Sequence, residues 1–196
     1  MNEPGTRPPR SNQLLWKSAS RLLVVDVQQK LLDHIPVALT LVENCRRLIR
    51  GAQILDVPVA ATAQSPAGLG PTAEVLGDLL EEIPEKLRFS CAESLDWDLA
   101  CEGDAGRDQV VVCGIETHVC VIQTALDLAA QGFRVFVPAD AVASRHKLDW
   151  KTALGRLSDS GISVLTTESV LFEWCEVAGT DEFRQISRLV TGRDDS

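Results

Sequence analysis

The stretch Gln109-Val110-Val111-Val112-Cys113-Gly114-Ile115-Glu116-Thr117-His118-Val119-Cys120 passes from an apolar, β-branched run into a helical pattern. From Val110 to Ile115 no position is polar on either face. A strand wetted on one side alternates, whereas a strand covered on both sides does not. Residues 117–131 then carry apolar residues at helical spacing and stop at Gly132, as helices do where the chain turns into left-handed backbone. Runs of the same character stand at 22–27, 57–62, 134–139 and 163–166. Between them, residues 36–55 place Leu39, Val42, Cys45, Ile49 and Ala52 on one helical face, with Glu43, Arg46 and Arg50 on the other. Residues 147–160 repeat the pattern and end at Gly161. Strand and helix in this rhythm predict an α/β fold, a parallel sheet wrapped on both faces. A long irregular stretch, 63–71, precedes a short helix expected over 72–80.

The chain has 196 residues, 45% of them hydrophobic and 24% charged. That suits one compact domain and excludes wholesale disorder. The 19 Lys+Arg against 28 Asp+Glu leave a net charge of −9. Such a chain has no long-range attraction to nucleic acid or an anionic membrane, and no apolar run approaches the ~18 residues that span a bilayer. Neither partner is expected. Six Cys without a Cys-x-x-Cys pair, and three His, make neither a disulfide framework nor a zinc site, so no metal and no cofactor are expected. Residues 1–20 lack the apolar core of a secretory signal. Arg7, Arg10 and Lys17 suggest a transit peptide, but Pro4, Pro8 and Pro9 interrupt the helix it needs. The expectation is a cytoplasmic protein with a flexible tail over 1–20, a single domain over 21–191 and a short tail over 192–196.

Ligands of open α/β sheets sit beyond the carboxyl ends of the strands, here Asp26, Thr62 with Gln64, 116–120 and Asp140. Asp26 ends the apolar run Leu22-Leu23-Val24-Val25, and a buried carboxylate is costly unless paired. It either caps a neighbouring turn or serves chemistry. Cys120 lies three residues into the expected helix if Thr117 is its cap. Free N–H groups and the helix dipole there favour a thiolate and can receive an oxyanion. Cys45 and Cys113 read as buried hydrophobes; Cys91, Cys101 and Cys175 lack a comparable position. Lys86 follows Pro84 in extended or looped backbone, and spacing alone makes it a solvated lysine. His118 is either a substrate contact or an exposed first-turn residue; two positions from Cys120, it does not face it on a helix. Gly68-Leu69-Gly70-Pro71-Thr72-Ala73 matches a dinucleotide pattern but lies past the tight strand-to-helix turn that binding requires. It reads as a loop with Pro71 opening a helix.

Several motifs resemble the isochorismatase-like cysteine hydrolases: Val24-Val25-Asp26-Val27-Gln28, Lys86-Leu87-Arg88-Phe89-Ser90, Gly114-Ile115-Glu116-Thr117-His118-Val119-Cys120-Val121 and Val137-Pro138-Ala139-Asp140-Ala141-Val142-Ala143-Ser144-Arg145. The likeness runs from Leu22 to Leu189. Gly68-Leu69-Gly70-Pro71-Thr72 and the stretch Leu165-Thr166-Thr167-Glu168-Ser169 look most like the isochorismatase domain-containing subgroup. The resemblance implies a Rossmann-like three-layer sandwich with a central parallel sheet of about six strands. It also implies a triad of Asp26, Lys86 and Cys120, a cis peptide at Ile115–Glu116, and an oxyanion hole of the Glu116 and Cys120 N–H groups. Homo-oligomerisation is expected from the family, and the 117–131 helix is apolar over much of its circumference.

Two departures narrow the chemistry. Metal-dependent nicotinamidases of the family place Asp and His ligands after the second strand, where Thr62-Ala63-Gln64-Ser65-Pro66 has no His. Isochorismatases proper lack the nucleophilic Cys. The expected activity is therefore metal-independent hydrolysis of a small amide or related C–N bond through a thioester on Cys120. Gln28, Gln64, Phe89 and His118 are the candidate substrate contacts. The alternative is a catalytically silent interaction or regulatory protein that keeps the fold. A redox-sensing role of Cys120 is a third possibility, with no resolving Cys identifiable.

Overall fold

A computed structural model describes residues 10–95, 97 and 106–192. The strands are β1 (Ser20–Val25), β2 (Val59–Gln64), β3 (Glu85–Lys86), β4 (Gln109–Ile115), β5 (Arg134–Pro138), β6 (Val142–Ala143) and β7 (Ser163–Leu165). All pair in parallel, in the order β3-β2-β1-β4-β5-β7, with β6 also on β4. The long helices are α2 (Ala38–Ile54), α5 (Ile122–Ala130), α6 (Lys147–Asp159), α7 (Thr167–Cys175) and α8 (Asp181–Thr191). Short turns α1 (Gln29–Leu32), α3 (Pro66–Leu69) and α4 (Glu74–Gly77) line the loops after β1 and β2.

Alternation along the central strands builds both cores. Leu22, Val24, Val111, Cys113 and Ile115 pack against α2, α7 and α8 through Cys45, Leu48, Ile49, Leu171, Trp174 and Ile186. Leu23, Val25, Val110 and Val112 point the other way, against Val121, Ala125, Leu128 and Leu157. A two-sided strand must be apolar at every position, which is why these runs do not alternate in sequence. The same packing corrects one expectation. Val121, Ile122, Ala125 and Leu128 are covered within the chain, so the apolar girth of α5 does not itself offer an association surface.

The expected tail over 1–20 is also revised where the structure describes it. Leu15 is fully buried. Gln109 accepts from the Trp16 N–H at 2.8 Å and donates to the Leu14 carbonyl at 2.9 Å, while Arg10 donates to the Glu173 carbonyl at 2.7 Å. Residues 10–19 are thus tied to β4 and α7. Residues 1–9 and 193–196 lie outside the described residues.

One close approach sets the geometry of the sheet beneath the site. Gly114 pairs with Val25 at φ 116°, and a Cβ there would lie 2.0 Å from the Val25 carbonyl oxygen. No side chain fits without parting β1 from β4 directly below Asp26. Gly114→Ala should therefore cost about 3 kcal/mol or more of unfolding free energy, measured by urea denaturation. A loss below about 1 kcal/mol would contradict this account of the β1–β4 contact.

Candidate active site

Asp26 leaves the end of β1 in left-handed backbone, φ 52°, a conformation that Asp tolerates better than most residues. Its N–H donates to the Thr62 carbonyl at 3.1 Å. Its fully buried carboxylate accepts from Thr62 Oγ1 at Oδ1 (2.9 Å) and from Lys86 Nζ at Oδ2 (2.7 Å). The pairing of β3 with β2, Gln64 opposite Lys86, brings the ammonium to this point. Spacing alone makes Lys86 a solvated residue; the structure buries it instead. Besides Asp26, Nζ lies 2.7 Å from Gln64 Oε1, 3.1 Å from the Arg88 carbonyl and 3.0 Å from the Phe89 carbonyl. Three ammonium hydrogens face four acceptors, so this lysine has nothing left to polarise another group.

The two glutamines expected to touch substrate are committed below the ion pair. Gln28 accepts from the Gln64 N–H at 2.8 Å, and its amide donates to the carbonyls of Gln64 and Gly70 at 3.1 and 2.7 Å. Gln64 donates to the Leu87 carbonyl at 2.8 Å. Phe89 is 53% exposed and Leu87 81%, on the loop that these bonds hold in place. A cleft of about 410 Å³ opens beside that loop, lined by Phe89, Ser90 and, one turn beyond Cys120, Gln123. His118 Nδ1 is 3.0 Å from Ser144 Oγ. Asp140, at another strand end, accepts from the Thr167 N–H and hydroxyl at 2.8 and 3.0 Å and so caps α7.

The peptide Ile115–Glu116 is cis. Thr117–Val121 forms a π-helical turn before α5, with Glu116 rather than Thr117 at its cap; such turns cluster at functional sites. The Glu116 carbonyl accepts from Val119 at 3.0 Å and from Val121 at 3.2 Å, passing over the Cys120 N–H between them. The Glu116 side chain accepts from Arg145 N and Nε at 3.1 and 3.0 Å. Cys120 is 5% exposed. Its thiol is pushed up to about 12, by burial first and by the Asp26 carboxylate next, against the opposing pull of Lys86. The readily ionised thiol expected at a helix start is thus corrected: desolvation and a facing negative charge raise the thiol instead.

Cys91 was not singled out by the sequence. It is buried, its N–H donates to Thr124 Oγ1 at 3.0 Å and its sulfur lies 3.3 Å from the same oxygen. Burial chiefly raises its pKa, and the Asp26 charge adds to the rise. The available signal was position, five residues beyond Lys86 on the same loop. Cys101 lies outside the described residues. No group of three metal-ligating side chains comes together among the described residues, and no helix there is long and apolar enough to cross a membrane.

The causes of the high thiol pKa have a testable sign. In Asp26→Asn the negative charge that raises it is gone, while the Lys86 ammonium that lowers it remains. The Cys120 thiol should then ionise at lower pH than in the wild type, seen as thiolate ultraviolet absorbance lost in a Cys120→Ala background. An unchanged or higher titration point would refute the electrostatic reading.

A model of the isochorismatase domain matches residues 20–169. Isochorismatase domain-containing protein 2 of Danio rerio is 39% identical over 177 residues, covering 90% of this chain and 89% of that protein. The structure of the MAR1 ribonuclease from Caenorhabditis elegans superposes with a TM-score of 0.82 at 31% identity, over 91% of this chain and 92% of that one. YcaC of Escherichia coli, described as an octameric hydrolase of unknown specificity, shares the fold at a TM-score of 0.73 and 23% identity, over 95% and 98% of the two chains.

Proposed function

The chain belongs to the isochorismatase family, which supports a hydrolase-type activity, and from that premise we propose that it is a metal-independent cysteine hydrolase acting on a small amide or related C–N bond. The observation that carries this reading is the buried Asp26–Lys86 pair whose charges both bear on the Cys120 thiol. Asp26 takes the thiol proton as the sulfur attacks the carbonyl carbon. The oxyanion that forms is met by the N–H groups of Glu116 and Cys120. Asp26 then returns its proton to the nitrogen, the C–N bond breaks and the amine leaves. Water, losing a proton to Asp26, attacks the thioester, which collapses to a carboxylic acid and the free thiol. Lys86 neutralises and holds the carboxylate; its four acceptors leave it no part in polarising substrate.

A resting thiol held protonated suits this scheme, because the proton moves only when a carbonyl arrives to accept the electron pair. Gln64 spends its side-chain oxygen on Lys86, which supports chemistry without a metal at that strand end. A small neutral substrate fits better than a polyanion. The net charge is −9, and the arginines flanking the site, Arg88 and Arg145, are paired with Glu93 and Glu116. Phe89 and Gln123 beside the cleft are the candidate contacts for the rest of the substrate. The free thiols Cys45, Cys91, Cys113, Cys120 and Cys175 suit a reducing, cytoplasmic setting. Exposed Leu39 on α2 and Leu148 on α6 support a homo-oligomer, built around the single catalytic domain expected over 21–191.

The burial of all three groups favours a second reading, a silent protein that keeps the fold for interaction. A panel of small amides separates the two. Hydrolysis is expected for the wild type, with kcat/KM lower by about 10³-fold or more in Cys120→Ala and an acid-trapped acyl adduct mapping to Cys120. Turnover that survives Cys120→Ala overturns the mechanism, and no turnover with no adduct from any amide supports the silent protein.

A further inference from the structure

We infer that Thr62 is a positioning residue for the proton transfer from Cys120, holding Asp26 Oδ1 as the oxygen that receives the proton. The inference rests on the reading of Asp26 as the base. Thr62 ends the pairing of β2 with β1, opposite Val25, and is buried. It grips Asp26 at two points: its carbonyl accepts the Asp26 N–H at 3.1 Å, and its hydroxyl donates to Oδ1 at 2.9 Å.

This grip matters because Asp26 has left the strand geometry. At φ 52° its side chain no longer follows the alternation of β1, so the sheet does not aim it. Lys86 fixes only Oδ2, and a carboxylate anchored at one oxygen can still turn about its Cβ–Cγ bond. The Thr62 hydroxyl supplies the second anchor and fixes the plane. Branching at Cβ restricts the threonine rotamer and so stiffens that anchor.

The two anchors differ in charge, and this divides the work between the oxygens. Oδ2 faces an ammonium, which opposes the arrival of a further proton. Oδ1 faces a neutral hydroxyl that occupies one of its two lone pairs. The other lone pair is the one left to take the proton of Cys120, a thiol that the Asp26 carboxylate already reaches. During attack the S–H bond breaks, the sulfur electron pair forms the bond to carbon, and the proton goes to Oδ1. The Thr62 hydroxyl keeps its own proton throughout. It acts through Asp26 and touches no reacting atom.

The test uses iodoacetamide as a probe, with Cys120 alkylation followed by peptide mass spectrometry from about pH 5 to 8, between the ordinary carboxylate and thiol ranges. In the wild type, transfer to the carboxylate gives a rate nearly flat over this window. Asp26→Asn has no acceptor, and its rate rises about tenfold per pH unit with the thiolate fraction. Thr62→Val keeps the shape of the side chain and loses the hydroxyl. Its flat region should fall about tenfold, the scale of one hydrogen bond to a charged group. Thr62→Ser should restore the wild-type profile within about twofold.

A Thr62→Val profile that superposes on the wild type overturns the inference while leaving Asp26 as the base. Identical profiles for the wild type and Asp26→Asn overturn the base itself, and the inference with it. Circular dichroism and thermal melting establish that each variant is folded. Should Thr62→Val fail to fold, Thr62→Ser decides: a folded Ser variant with the flat region lost overturns the inference.

Discussion

An ammonium and a carboxylate sealed together at the carboxyl ends of β1 and β3 govern the arrangement of everything around them. Removing both charges from water costs several kcal/mol each, and the structure meets that cost with a closed set of bonds. Lys86 Nζ has four oxygen acceptors and Asp26 has a donor on each carboxylate oxygen. The partners come from separate parts of the chain: the end of β2, the loop at 87–89, and β1 itself. Gln64 is held in turn by Gln28, and Gln28 by Gly70. The ion pair therefore fixes the loops after β1, β2 and β3 at once.

Opposite this pair, β4 and its π-helical turn present the thiol. The close contact of Gly114 with Val25 sets how near that turn comes to Asp26. Burial and the facing carboxylate keep the proton on sulfur. A permanently ionised thiolate would react readily with oxidants; a sulfur that is buried and keeps its proton escapes most of that chemistry. The redox-sensor reading of Cys120 loses support for the same reason. Cys91 lies close to the same carboxylate, yet its thiol too is held protonated, mainly by burial.

Much of the scaffold was legible because the strands are long and covered on both faces. The run at 109–115 is the observed β4 to the residue, and the helices at 36–55 and 147–160 differ from α2 and α6 by only a residue or two at either end. What was not legible is short or depends on other parts of the chain. β3 and β6 have two residues each, too few to show any period. Lys86 resembles a solvated lysine until its strand is laid against β2; only the family resemblance put it beside Asp26 and Cys120. Gln28 and Gln64 have the right residue type for substrate contacts, but the backbone groups that consume their amides lie far along the chain. The helix start does suggest an acidic thiol at Cys120. Desolvation and the Asp26 charge reverse that sign, and neither can be read from local spacing. Thr62 was visible as a strand end, while its hydroxyl bond to Asp26 required the turn of Asp26 out of the strand.

The buried pair can be tested without knowing the substrate, by a double-mutant cycle on unfolding free energy with Lys86→Met and Asp26→Asn. Lys86→Met leaves a carboxylate buried without its cation and should cost about 3–5 kcal/mol. Adding Asp26→Asn removes the stranded charge and should recover much of that loss, giving a coupling energy above about 2 kcal/mol. Small single-mutant costs that simply add would contradict the account, because the ammonium and the carboxylate would then not depend on one another.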